Sequence, residues 1–218
     1  MTKTLMIALL LPALGCFNER KDGPAYVKEY NEFKSTFADS FTDQFPDSLE
    51  VITDPKVTRK FGSPAVMEIH KVGFYLYEYG ISETYIQQTE AKVKGKTIAQ
   101  YQSTDDCLLV INRFETPDTY KKRQPVEIGD SSLIDQPCYQ DLYPVPHFLE
   151  YKHPAKHGPV WLNKNFTIYV LEAKPVNPYA EFQMVPNPQM PAKWKNGYSK
   201  GIAISRKDKT VIYWSFMW

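Results

Sequence analysis

A chain of 218 residues with 43% hydrophobic side chains can bury the core of one domain. Its 26 Lys and Arg against 25 Asp and Glu, scattered along the sequence, exclude the basic stripe of a nucleic-acid binder and an acidic tail. The 15 Tyr, 12 Phe, 4 Trp and 17 Pro beside only 10 Gly argue against a dinucleotide-binding α/β composition and favour strands joined by stiff, ordered loops.

Residues 1–15 place Lys3 ahead of the apolar run Leu5 to Leu14 and end on Gly15, the layout of a signal peptide. Ten apolar residues fall short of the roughly 20 that span a bilayer, and Glu19-Arg20-Lys21-Asp22 follow at once, so a permanent transmembrane anchor is not expected. Ala13-Leu14-Gly15 fits the small-x-small rule for ordinary signal cleavage, which would release a soluble secreted chain. Leu14-Gly15-Cys16 resembles the lipobox of bacterial lipoproteins, with Ala13 where Leu is usual. Four fragments, "TDDCLLVINRF" (104–114), "FTIYVLEAKP" (166–175), "GYSKGIAIS" (197–205) and "IYWSFMW" (212–218), also resemble uncharacterised lipoproteins of the Bacteroidota. The resemblance implies a lipid on Cys16, a bacterial cell-envelope location on the outer membrane facing the periplasm or the surface, and no particular activity. Two or three acyl chains on one cysteine hold a protein to a membrane where a single chain does so only marginally. The expected division is a signal peptide over 1–15, a lipidated tether over 16–24 and one globular domain over 25–218.

The segment entered at Gly23-Pro24 and stopped at Pro46 reads as a long amphipathic helix, because Tyr26, Tyr30, Phe33, Phe37 and Phe41 recur at helical spacing. Leu49 to Thr53 is an expected short strand. Residues 66–80 form a second strand in which Val72, Phe74 and Leu76 share one face while Tyr75, Tyr77 and Tyr79 line the other. A shift of register near Lys71 to Gly73 suggests a bulge at Gly73. Ser82 can cap a helix over 82–95, and the continuous apolar run of "CLLVINRF" reads as a buried strand. Residues 115–165 carry seven prolines and read as a long connection with a short strand near Leu142 to Phe148. "FTIYVLEAK" is a strand, and Tyr198 to Ser205 with Thr210 to Trp218 form a hairpin. In its second arm Ile212, Trp214, Phe216 and Trp218 point one way. The expected fold is α+β: a long N-terminal helix on an antiparallel sheet of about five or six strands, with proline-rich loops.

No P-loop, nucleophile elbow, zinc-protease or dinucleotide motif is present, and Glu90 stands where a P-loop ending at Lys96-Thr97 needs its first glycine. With Cys16 lipidated, Cys107 and Cys138 remain. An exported pair invites a disulfide worth roughly 3–4 kcal/mol, and two separate thiols fit equally. His147, His153 and His157 are metal or acid-base candidates, although Pro154 and Gly158-Pro159 forbid the helix that a His-x₃-His zinc pair needs. Asp105-Asp106 reads as a turn. Tyr75, Tyr77, Tyr79, Trp161 and Trp194, with Tyr198 beside them, are candidate platforms for stacking a ligand or, more simply, core and rim packing.

The expected function is a membrane-anchored, non-catalytic binding or interaction module for a protein or small ligand, with no cofactor and no nucleic acid. The alternatives are an envelope hydrolase with its site in the 115–165 loop and an immunity-type lipoprotein that neutralises a toxin.

Overall fold

The computed structural model describes residues 23–63, 72–115, 119, 126–147, 165–179 and 184–218. They form a mixed α+β fold around a six-stranded sheet, composed of β1 (Thr58–Gly62), β2 (Val72–Tyr79), β3 (Ala99–Gln102), β6 (Thr167–Lys174), β7 (Tyr198–Ser205) and β8 (Thr210–Met217). The strand order is β1-β2-β8-β7-β6-β3, with every neighbouring pair antiparallel. The helices are α1 (Pro24–Lys34), α2 (Asp39–Thr42) and α3 (Glu83–Lys94), and β4 (Val110–Ile111) pairs in parallel with β5 (Val145–Pro146) in a separate small sheet. Among the described residues no helix is long and apolar enough to cross a membrane.

The single long helix expected over 24–45 is not formed. The hydroxyls of Ser35 and Thr36 donate back to the carbonyls of Glu32 and Phe33, each at 2.7 Å, and this local bonding competes with helix continuation. The chain bends and resumes as α2. The aromatic spacing still serves its purpose, because Phe33, Phe37 and Phe45 gather around the Phe74 ring of β2 at centroid distances of 5.3, 5.8 and 4.5 Å. Ser82 caps α3 by accepting the Tyr85 N–H at 3.1 Å.

Both faces of the sheet are buried, and β7 and β8 are buried along their whole length. On one face α1, α2 and α3 cover Phe74, Leu76, Ile202, Ile204, Val211 and Tyr213. On the other, loop segments bring Leu109, Tyr139, Val145, Met190 and Trp194 onto Ile212, Trp214, Phe216 and Trp218. The "CLLVINRF" run is therefore buried in this loop layer rather than in the main sheet, and only Val110–Ile111 are strand before Asn112 turns the chain at φ 55°. The strand expected at 49–53 is absent, and β1 lies at 58–62 instead. Residues 66–71 of the second expected strand lie outside the described residues. Gly73 lies in regular register opposite Phe216, where a Cβ would stand 2.0 Å from the ring; close packing, and not a bulge, requires glycine there. The register shift occurs in β6, between Val170 and Glu172.

Candidate functional site

A polar groove of about 960 Å³ opens on the helix-covered face of the sheet. One wall is the irregular segment 43–50 and the other is α3, which presents Thr84, Gln88, Lys92 and then Lys96 at four-residue spacing. Glu78, Tyr213, Ile202, Lys200 and Leu171 contribute from the strands beneath. Strand alternation places Glu78 in phase with Phe74 and Leu76, and Lys200 in phase with Tyr198 and Ile202. Each is a charge in an apolar register and each is buried, Glu78 at 0% exposure and Lys200 at 6%.

Such charges persist in a core only when paired. Arg59 Nε donates to Glu78 Oε1 at 2.7 Å and the Tyr85 hydroxyl donates to Oε2 at 2.6 Å, so both carboxylate oxygens are engaged. The Tyr85 and Tyr213 hydroxyls are 3.1 Å apart. Burial, followed by the proximity of Tyr213 and of the Glu78 carboxylate, pushes the Tyr85 phenol far above its usual value. Burial and Glu78 do the same to Tyr213. The two phenols stay protonated at neutral pH and both Glu78 oxygens are engaged in hydrogen bonds, which suits the group to shaping a site.

At the other end of the groove Lys200 Nζ donates to Ser40 O and to Asp43 Oδ1, each at 2.7 Å, with Glu172 at 3.4 Å. Burial alone would raise the Glu172 carboxyl, but the Lys174 hydrogen bond and the Lys200 charge overcome it and hold the carboxyl below its usual range. Ser215 lies opposite Lys200 across the β7–β8 pair. Among the described residues its hydroxyl, the Tyr198 hydroxyl and Gln44 Oε1 are buried without a hydrogen bond of good geometry, although the Tyr198 and Ser215 hydroxyls lie near enough to influence each other. Such a cluster of polar atoms favours a water or a polar ligand atom.

None of the described residues singled out from sequence as site candidates lines the groove, although Tyr198 joins the polar cluster at its end. Cys107 and Cys138 are joined in a disulfide with Cα atoms 6.3 Å apart, tying the loop layer together. Tyr75, Tyr77 and Tyr79 form a half-buried row on the opposite face of β2, with centroids 5.4 and 6.0 Å apart along it. Trp194 is 2% exposed and packs on Trp218 at 6.3 Å. It sits in the core, and Tyr198, at 1%, does likewise. His147 follows β5 and does not line the groove. Asp105 closes a turn by accepting the Gln102 N–H at 2.8 Å. Cys16, His153, His157 and Trp161 lie outside the described residues. Among the described residues no group of three or more His, Cys, Asp or Glu side chains is placed to hold a metal. The groove residues Glu78 and Lys200 were not singled out from sequence, although a charge in phase with an apolar face was the available signal. Comparison with protein-family models, with curated proteins and with solved structures gives no match for this chain.

Proposed function

We propose that this chain is a lipid-anchored protein of the bacterial cell envelope whose domain holds a polar ligand in the groove between segment 43–50 and α3. The groove carries the binding half of this reading: buried charges are expensive, and here two of them, each fully paired, are set under one open cleft. The satisfied state of Glu78 favours binding over acid-base catalysis. The lipobox-like Leu14-Gly15-Cys16 carries the anchoring half, with residues 16–24 as tether.

Metabolic labelling with a clickable fatty acid tests the anchor. The wild-type chain is expected to take up label and Cys16→Ser to take up none; equal labelling of both overturns anchoring. Gln88→Trp, a substitution at an exposed α3 position facing the cleft, tests the groove. It is expected to abolish ligand binding without lowering thermal stability.

A further inference from the structure

The charges of the groove are sorted along its length. The first turn of α3 stands at one end, where Tyr85 meets Glu78 and Arg59 Nη1 donates to the Glu50 carbonyl at 2.6 Å. Glu50, exposed, and Glu78, buried and paired with Arg59, both line this end. The last turn of α3 stands at the other end, fixed over β6 by the Ile98 N–H donating to Val170 O at 2.9 Å. There Lys92, Lys96 and Lys200 face Asp43 and Glu172. Lys92 and Lys96 are exposed and lie outside the ion pairs that hold Lys200. With the remaining lining carboxylate, Asp47, paired to Lys34 outside the groove, one end is net anionic and the other net cationic.

A second observation concerns the backbone at the cationic end. The edge strand β3 pairs with β6 only over Thr167 to Val170, so among the described residues Leu171–Lys174 have β7 on one side and no strand on the other. Leu171 and Glu172, in that open portion, line the groove. An edge of this kind offers main-chain partners to the end of a chain that reaches it.

We infer that the groove takes a short peptide with free termini, its ammonium toward Glu50 and its carboxylate toward Lys92 and Lys96. The inference rests on the groove being the binding site. From Thr84 to Lys94 the α3 wall extends about 15 Å at about 1.5 Å per residue. An extended peptide covers about 3.4 Å per residue, so four or five residues match the separation of the two charged ends. A neutral sugar uses the hydroxyls and amides of Ser48, Thr84 and Gln88 but gains nothing from the sorted charge, and a free amino acid is too short to reach both ends.

Titration calorimetry on the full chain tests this with pentaalanine, its N-acetylated and C-amidated forms, and maltopentaose. Pentaalanine is expected to bind, and blocking either terminus to weaken it about tenfold, the effect of one charge-assisted contact. In the Lys92→Ala, Lys96→Ala double variant, two exposed changes that leave the core intact, the free and amidated peptides should bind alike. Failure of pentaalanine to bind overturns the inference, as does indifference to blocked termini. Binding of maltopentaose alone, abolished by Gln88→Trp, overturns the peptide and leaves the groove standing. Binding of either probe that Gln88→Trp leaves unchanged overturns the groove itself.

Discussion

Arg59 and Glu78 stand directly opposite each other in the β1–β2 pair, and the guanidinium Nε donates to the carboxylate at 2.7 Å beneath the groove floor. The side chains are 10% and 0% exposed. Removing one member of such a pair costs more than removing both, because the survivor is left charged and unpaired in the core. Arg59→Ala should therefore destabilise the fold by about 3–5 kcal/mol, and the double variant Arg59→Leu, Glu78→Leu by clearly less. Urea unfolding of the three proteins checks the order.

Alkali should unfold the protein in one step. Burial pushes the phenols of Tyr30, Tyr85, Tyr198 and Tyr213 above their ordinary value of 10.0. The fold favours the neutral form, so the associated stability is fully present below that pH and is lost as pH rises beyond it. Absorbance of tyrosinate should rise for these residues together with loss of the circular-dichroism signal. Ionisation of all tyrosines ahead of unfolding contradicts this.

The acid limb should depend on Glu172. Its folded carboxyl is held below the ordinary value of 4.5, so its contribution is present above that pH and is lost as pH falls through and below it. In Glu172→Gln the thermal midpoint should change less between neutral pH and pH 3 than in the wild type, by a modest margin because the side chain is 33% exposed.

Reduction should loosen the loop layer. The Cys107–Cys138 bridge closes a separation of 31 residues, and its loss should cost about 3–4 kcal/mol. Denaturant unfolding with and without reductant, compared with Cys107→Ser, Cys138→Ser, measures it. Equal stability in all three contradicts the assignment.

Gly201 is required by space. A Cβ there would lie 2.1 Å from Tyr169 O and 2.5 Å from the Trp214 ring, and backbone cannot yield as a side-chain tip can. Gly201→Ala should cost at least the ~1–3 kcal/mol typical of overpacking. Gly95→Ala, at φ −79° with nothing within 4 Å of its Cβ, should be neutral or slightly stabilising. Thermal melts of both variants decide the contrast.

Strand and cap signals that depend only on near neighbours were legible in the sequence. The period-two alternation of Ile212, Trp214, Phe216 and Trp218 defines a strand face whatever packs on it, and Ser82 needs only the Tyr85 N–H three residues on to cap a helix. The Tyr26 to Phe41 spacing marked aromatic rings that pack on the helix-side core, Tyr30 and Phe41 buried and the other three partly so, yet not the helix break, because the back-bonding of Ser35 and Thr36 competes with the next helical turn. Which layer receives an apolar run is not a local property: Leu109 to Ile111 read as a buried strand, and Val110–Ile111 form one, but in the small separate sheet of the loop layer, since a continuous apolar run does not specify which surface buries it. The groove belongs entirely to the tertiary structure. Glu78, Arg59, Tyr85 and Lys200 come from β2, β1, α3 and β7, and only the strand order, fixed by the packing of two cores on opposite faces of one sheet, brings them under a single cleft.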